Sequence, residues 1–297
     1  MPLGASRRKF AGAAGNGNGS ATRPQYQKLD SLLGTYHYWQ QPLLWMAALT
    51  AIVCIMHLML QEMLHVMAPW FRKLPENSRE GRKKTLCVMN IISGLLMLPL
   101  MLCYADTFAT MRHTDERRWQ GWTFDGFFGL VLHCSLSIYE EIIYVYVGRG
   151  LEYHLHHFLV LLNFLPCLAS QQMLFWAVFD GFVEGTNPFL CLLYLFNDMM
   201  LPRNHWAQQI NGFFLWLSFT LLRIIMLPIW VYMFLADAWA EDTKHTVGAT
   251  SSITLYTSLP TTVFLWLLSL AWYKKITAGL LKACRRATYT KLQSEVE

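Results

Sequence analysis

Polar side chains recur at helical spacing inside the long apolar segments of this chain. They include carboxylates, imidazoles and a guanidinium, which are groups that transfer protons or stabilise charge. Asp180, Glu184 and Asn187 follow one another at intervals of four and three residues, which keeps them on one face of a helix. Other apolar segments carry similar stripes, which contain His133 and Glu140 with the adjacent Glu141, His156 with Asn163, His57 with Gln61 and His65, and Thr220 with Arg223.

These stripes need an explanation, because an ionisable group at membrane depth costs roughly 2.5–3.5 kcal/mol on insertion scales. One interpretation is structural, since polar side chains that pair between helices contribute about 0.6–2 kcal/mol per contact. The other is functional: groups of both charge signs would form the polar floor of a cavity that holds a lipid headgroup or an acyl ester. Both interpretations stay open. The predicted cavity-lining residues are His133, Glu140, Glu141, Asn163, Asn187 and Arg223.

A His-Leu-His-His cluster at residues 154–157 lies at the start of one apolar segment. An imidazole with a pKa near neutrality takes a proton from a hydroxyl or amine and returns it to a leaving group. We therefore expect His156 or His157 to act as general base if the chain is an enzyme. Asp180 or Glu184 would then orient the imidazole across a helical hairpin. The competing interpretation is that these histidines are interfacial and merely snorkel.

Residues that commonly bind metals do not form a recognisable metal site. The histidine cluster has the wrong spacing for a membrane iron oxygenase, and no second or third histidine box follows it. Seven cysteines are scattered without a Cys-x-x-Cys pair, and no His-x-x-x-His pair supports a zinc hydrolase. We expect no metal and no cofactor, with acyl-CoA as co-substrate if the protein is an acyltransferase.

The elements that position these residues must be membrane helices. The 297 residues are 54% hydrophobic and 14% charged, whereas a soluble domain has about 25% charged residues. A helix of about 20 apolar residues crosses the hydrocarbon core of a bilayer. Within lipid, backbone groups must be hydrogen-bonded internally, and a helix meets this requirement. The predicted fold class is an all-α polytopic membrane protein. Its seven spans are expected near residues 43–69, 85–105, 127–148, 155–172, 173–197, 210–236 and 253–273.

The spans define the domain organisation. We predict a disordered tail over residues 1–38, which are rich in Gly, Ala, Asn and Arg. A first transmembrane helix with a basic loop follows over 39–79, and the main helical domain occupies 80–275. The remaining residues, 276–297, are predicted to form a basic C-terminal tail.

Charge and length together decide the expected topology. The apolar stretch around Gln171-Gln172 is too long for one crossing, so we predict a tight helical hairpin there. With seven spans the basic clusters at 72–84 and 274–291 are cytoplasmic, as the positive-inside rule requires, and the N-terminus is outside. Six spans would satisfy the charge rule equally well with the N-terminus inside, so only the hairpin argument favours seven. The net charge of +5 suits anionic headgroups better than nucleic acid.

Pro188 comes directly after the acidic stripe. A proline inside a helix lacks an N–H and displaces the carbonyl four residues earlier. That carbonyl belongs to Glu184, so the sequence predicts a free backbone acceptor beside a carboxylate.

The pair His156-His157, followed one hairpin later by the segment Glu-Gly-Thr-Asn-Pro-Phe at 184–189, resembles the TLC-domain family over about residues 80–275. That family includes translocation-associated membrane proteins, ceramide synthases and lipid-homeostasis proteins. The resemblance implies a ring of six helices with an extra first span, in the endoplasmic reticulum or, second, the plasma membrane, acting on membrane lipids. The His-Asp-x-x-Asp run of ceramide synthases is absent, because residues 179–184 read Phe-Asp-Gly-Phe-Val-Glu. The resemblance therefore favours the non-synthase branch.

Three functions stay open at this point. The first is a multi-pass protein that binds a lipid or acyl chain within its helical bundle and influences membrane lipid composition or homeostasis. The second is an acyl-CoA-dependent lipid acyltransferase that uses His156 or His157 as base, with Arg223 at a phosphate or an oxyanion. The third is a cargo adaptor of the secretory pathway, whose loops and tails would be the active parts.

Overall fold

The computed structural model describes residues 40–74, 81–202 and 205–294, so the predicted tail over 1–38 lies outside the described residues. Within those ranges every regular element is helical. In chain order the elements are α1 (Gln40–Met67), α2 (Pro69–Arg72), α3 (Gly81–Met111), α4 (Asp115–Gln120), α5 (Phe124–Val147), α6 (Leu151–Ser170), α7 (Leu174–Gly181), a 3-10 segment (Phe182–Thr186), α8 (Asn187–Asp198), α9 (Trp206–Phe219), a π-helical segment (Thr220–Ile225), α10 (Met226–Trp239), α11 (Lys244–Gly248) and α12 (Ser252–Ser294).

The predicted all-α polytopic membrane fold is confirmed. Five helical stretches are long and apolar enough to cross a membrane: Gln41–Met67, Arg82–Met111, Asp115–Val147, Trp206–Trp239 and Ser252–Lys282. The two remaining predicted spans also fall on helical segments, α6 and α7 to α8, but are not among these five. The polar stripe of α6 lowers its hydropathy, and a 3-10 segment interrupts the other. Seven crossings therefore stay a prediction.

The predicted hairpin is present between α6 and α7. Gln171 and Met173 adopt left-handed backbone angles, with φ of 54° and 59°, which are uncommon for residues that carry a side chain. The N–H of Met173 donates a hydrogen bond to the carbonyl of Trp119 at 2.8 Å, and the Met173 side chain is fully buried. Tertiary contacts with α4 therefore fix the turn.

Six helices close into a ring through their contacts. α3 packs on α5, α5 on α6, α6 on α12, α12 on α9, α9 on α8, and α8 packs back on α3. The first helix, α1, packs on α3 and α5 and is not part of this cycle. The arrangement matches the expected ring with an additional first span.

The C-terminal helix is longer than its predicted span. The sequence suggests a crossing near 253–273 followed by a tail, whereas α12 continues to Ser294. Residues 274–294 contain no proline and only one glycine, and they are rich in Lys, Arg, Ala and Leu. These residues are good helix formers, so the basic segment extends the helix beyond its apolar part.

Candidate functional site

Polar side chains from four elements meet inside the ring. α5 contributes Glu140, α6 contributes His156 and His157, the 3-10 segment contributes Glu184, and the π-helical segment contributes Arg223. We call these five residues the polar cluster. His157, Glu184 and Arg223 are only 4%, 2% and 3% exposed. Neighbouring polar side chains, rather than solvent, must therefore stabilise their charged forms.

Glu184 has partners on both of its carboxylate oxygens. Oε1 lies 3.2 Å from Nη2 of Arg223 and 3.6 Å from Nε2 of His156. Oε2 accepts a hydrogen bond from the side-chain amide of Asn187. Arg223 in turn donates from Nε to the hydroxyl of Thr186 at 3.1 Å. A buried charge is stable only with such partners, because its desolvation costs several kcal/mol.

His157 pairs with carboxylates of α5 rather than with those of the next helix. Its Nε2 lies 3.2 Å from Oε2 of Glu140, and its Nδ1 lies 3.3 Å from Oε2 of Glu141. The imidazole also stacks on the ring of Tyr144, with centroids 5.2 Å apart and planes 5° apart. Of the two expected bases, only His156 lies beside one of the carboxylates expected to orient it.

Asp180 and Asn163 form a separate contact between α6 and α7. The amide of Asn163 donates to Oδ2 of Asp180 at 2.7 Å, and each residue is 1% exposed. No hydrogen bond or ion pair between the described residues joins Asp180 to a histidine. This corrects the expectation that Asp180 orients one of them, because its carboxylate instead fixes the hairpin.

A small polar cavity lies within the cluster. Its walls include His133, Glu140, His156 and Asn187, and its volume is about 10 Å³. A cavity needs roughly 10–15 Å³ to hold one water molecule. The cavity is therefore the size of a water molecule, and a lipid headgroup or acyl ester fits only if the surrounding helices part. Of the six residues predicted to line it, His133, Glu140 and Asn187 do so, whereas Glu141, Asn163 and Arg223 do not.

His156 has one ring nitrogen with a partner and one without. Nε2 lies beside Glu184, whereas Nδ1 is buried and has no hydrogen-bond partner among the described residues. Buried polar atoms are nearly always bonded, so an unpartnered nitrogen in a residue that lines a cavity needs an explanation. A neutral imidazole nitrogen accepts from a hydroxyl or donates to a carbonyl, according to its tautomer. A bound polar group would satisfy it.

The backbone carbonyl of Glu184 has a hydrogen-bond donor, so the prediction that it is free is wrong. The N–H of Asn187 donates to the carbonyl of Glu184 and completes the 3-10 segment. Pro188 then lies in the first turn of α8, where its missing N–H has no partner to lose. The chain changes from α7 to a tighter helix and restarts, instead of kinking within one helix.

Two glycines let the segment around Glu184 approach its neighbours closely. A Cβ on Gly181 would lie 2.4 Å from the ring of Tyr104, and a Cβ on Gly185 would lie 2.9 Å from Leu222. The first glycine brings the segment against α3, and the second brings it against the π-helical segment. π-Helical turns occur frequently at functional sites, and this one carries the buried arginine of the cluster.

The sequence pattern does not identify three of the polar partners. The hydroxyl of Tyr104 lies 2.8 Å from Nδ1 of His133, but Tyr104 belongs to a span without a recognised stripe. Thr186 lies inside the family-like segment 184–189, where its spacing gives no sign of a bond to the π-helical segment. Nδ1 of His154 lies 2.6 Å from Oε1 of Glu141. The position of His154 beside the paired histidines is the sequence signal that could have identified it as a partner.

The chemistry available to the cluster is acid–base chemistry. His156 and Glu184 form an imidazole–carboxylate pair, the arrangement in which a carboxylate orients a base. Arg223 already neutralises Glu184, so an oxyanion would have to compete for its guanidinium. Within the described residues, no three His, Cys, Asp or Glu side chains converge so as to hold a metal ion.

The fold and the site define a class of protein: a multi-pass helical membrane protein whose ring encloses an acid–base cluster. A family model for the TLC domain matches residues 84–278 of this chain. The chain therefore belongs to the TLC-domain family, as the paired histidines and the segment 184–189 predict. No curated protein and no solved structure matches the chain. Its assignment to the non-synthase branch stays a prediction.

Proposed function

We propose that this TLC-domain protein binds a lipid within its helical ring and thereby influences membrane lipid composition. The observation that carries the proposal is His156, which lines a polar cavity and has a buried Nδ1 without a hydrogen-bond partner among the described residues. An ester, amide or hydroxyl of a lipid offers the hydrogen-bonding atom that this nitrogen needs. Membership of a family that includes lipid-acting proteins supports the same conclusion.

Binding requires the cavity to enlarge, and the elements around it suggest how. The 3-10 and π-helical segments contact each other through Glu184, Thr186 and Arg223. Both segments depart from α-helical geometry, so they adjust with fewer i→i−4 bonds to break than a regular helix. We infer that separation of these two segments admits the lipid between α8 and α9.

The test is to count the lipids that remain with the purified protein. The full chain, its His156→Ala variant and a control His245→Ala variant would be purified in mild detergent, extracted and analysed by mass spectrometry. His245 is an exposed histidine of α11, remote from the cluster. We expect bound lipid per protein to fall in His156→Ala only. Equal amounts in all three proteins would contradict lipid binding at the cluster.

Acyl transfer is the second candidate, favoured by the proximity of His156 to Glu184. Nε2 of the imidazole and Oε1 of the carboxylate lie 3.6 Å apart, so the carboxylate is placed to stabilise a protonated imidazole. In this reaction a lipid hydroxyl or amine would lose its proton to His156 and attack the thioester of acyl-CoA. The acyl group would move to the lipid, and the CoA thiolate would leave with the proton.

The acyltransferase proposal has its own assay. Membranes that contain the protein would receive acyl-CoA and a total lipid extract, and free CoA and new acyl-lipids would be measured over time. Turnover that disappears in the His156→Ala/His157→Ala variant at equal expression would establish the activity. Absence of turnover above empty membranes would leave lipid binding as the function.

We also propose that the protein resides in the endoplasmic reticulum with its N-terminus on the lumenal side. The sequon Asn18-Gly19-Ser20 would then be accessible to glycosylation. A glycosidase-sensitive mass shift that Asn18→Gln removes would support this topology. Labelling of the N-terminal tail from the cytoplasm alone would refute it.

A further inference from the structure

A second and much larger recess lies towards the opposite end of the helices from the polar cluster. It is a cleft of about 870 Å³ between the C-terminal end of α3, α4, the start of α7 and the end of α10. Ligand sites commonly measure roughly 300–1,000 Å³. Among the residues that the structure describes, none lines both this cleft and the cavity of the polar cluster, so a ligand of the cleft is independent of the proposed function.

The apolar part of the cleft is rigid and aromatic. Phe108 and Phe175 stack with their ring centroids 5.2 Å apart, and the fully buried Trp176 lies next to them. Trp176 also packs on Trp230, whose indole N–H donates to the carbonyl of Trp176 at 2.9 Å. Phe175 and Trp176 are each 1% exposed, so they form a packed backing behind the half-buried ring of Phe108, which is the ring that a ligand can reach.

One wall of the cleft is held in place by an ion pair. The guanidinium of Arg118 donates from Nε to Oδ2 of Asp237 at 2.9 Å and from Nη2 to Oδ1 at 2.5 Å. Asp237 also accepts from the indole of Trp119 at 2.9 Å. These bonds join α4 to α10, and Arg118 also pairs with Asp115, so its guanidinium is already shared between two carboxylates of the cleft.

Other charged groups on the cleft remain available to a ligand. Arg112 and His113 lie at the end of α3, and Asp242 lies after α10. All three side chains are exposed, and none forms an ion pair with another described residue. A ligand that satisfies this rim carries both a negative and a positive group.

The position of the cleft indicates where such a ligand comes from. The apolar stretches that include α3 and α10 end at Met111 and Trp239, directly beside the rim residues. Charged rims at the ends of spanning helices lie at the level of lipid headgroups, with the apolar part of the cleft facing the acyl region. A membrane lipid therefore reaches both parts of the cleft at once.

We propose that this cleft binds a zwitterionic phospholipid. Its phosphate contacts Arg112 and His113, its ammonium group lies beside Asp242, and the apolar part of the lipid packs over the half-buried Phe108 and the exposed Met233. Arginine forms paired hydrogen bonds with phosphate oxygens, which makes it the strongest anion ligand on this rim. The exposed Tyr232, which also lines the cleft, offers an aromatic face to the ammonium group.

The test compares three lipids with the same acyl chains, whose headgroups are zwitterionic, anionic and cationic. The detergent-purified full chain would be titrated with phosphatidylcholine, phosphatidylglycerol and a trimethylammonium diacyl lipid without phosphate, and native mass spectrometry would count bound molecules. We expect phosphatidylcholine to bind more tightly than the other two lipids, with one molecule in the cleft in addition to any lipid in the ring. Affinity should fall about tenfold or more in Arg112→Ala/His113→Ala, since a hydrogen bond to a charged group contributes about 1.5–3 kcal/mol.

A matched control keeps the residue types constant. The Arg117→Ala/His245→Ala variant removes an exposed arginine and an exposed histidine that do not line the cleft, and it should bind as the parent does. His156→Ala should also retain this lipid, so failure of the cleft and failure of the polar cluster give different patterns. Equal binding of all three lipids, or equal loss in the control variant, would overturn the proposal.

Discussion

The polar cluster and the cleft near the opposite helix ends each contain an ion pair, which is buried in the cluster and only partly buried at the cleft, and the open space beside the two pairs differs. In the cluster, Arg223 and Glu184 meet in the middle of the ring, and only about 10 Å³ remains open. At the cleft, Arg118 and Asp237 pair along one wall, and about 870 Å³ remains open. Polar residues in apolar helices therefore do not by themselves indicate open space. Whether a cavity opens beside a polar residue depends on the side chains of the facing helices.

The largest expected difference between the two regions concerns the ion pair of the cluster. Glu184→Ala should lower the free energy of unfolding by about 3–5 kcal/mol, because it leaves Arg223 buried without its partner. The Glu184→Leu/Arg223→Leu variant should cost much less, since no buried charge is left. Unfolding in mixed detergent micelles would measure both.

The control for this prediction is an ion pair on the surface. Glu241 and Lys244 are paired 2.5 Å apart, with side chains 85% and 59% exposed. Glu241→Ala should therefore change the free energy of unfolding by about 0–1 kcal/mol. A Glu184→Ala variant no less stable than Glu241→Ala would show that the cluster does not hold the ring together.

The ion pair at the cleft should show an intermediate effect. Asp237→Asn weakens the bonds to Arg118 and Trp119, and we expect a loss of roughly 1.5–3 kcal/mol in the free energy of unfolding. Asp242→Asn, on the rim of the same cleft, should stay within about 0.5 kcal/mol of the parent. Equal stability of the two variants would mean that the wall does not depend on Asp237.

The smallest expected effect tests the close packing beside the cluster. Gly181→Ala places a Cβ 2.4 Å from the ring of Tyr104, and overpacking of this kind costs about 1–3 kcal/mol. Gly212→Ala in α9 meets no atom within 4 Å, so it should gain roughly 0.5–1 kcal/mol from helix propensity. Thermal unfolding of both variants beside the parent would measure this. A Gly181→Ala variant as stable as Gly212→Ala would contradict the close approach of α7 to α3.

Helical periodicity predicted the fold and part of the site. The stripes correctly indicate inward-facing positions such as His133, Asn163 and Arg223, because a helix keeps residues three and four apart on one face. Periodicity does not predict which helices are neighbours. The pairing of His157 with Glu140 and Glu141, instead of Asp180 or Glu184, depends on the contact between α5 and α6.

Two further features lay beyond the sequence pattern. The 3-10 segment before α8 and the π-helical turn at Thr220–Ile225 meet in close contact at Gly185 and Leu222, and local propensity does not encode such tertiary contacts. The pattern also does not predict the cleft. Its charged residues lie outside the apolar segments, and its aromatic residues cannot be distinguished by sequence from residues of the hydrophobic core. Only the folded chain brings Arg112 and Asp242 to one recess.

The most direct test of lipid binding at the polar cluster is to map where a lipid lies. The full chain, reconstituted in nanodiscs, would be cross-linked to a phospholipid with a diazirine beside its ester group, and the labelled peptides would be sequenced by mass spectrometry. We expect labels near His133, His156 and Asn187, lost in His156→Ala and suppressed by excess unlabelled lipid. Labels confined to outward-facing residues such as Leu98 and Leu102 would show that no lipid enters the ring, and would contradict the proposed function.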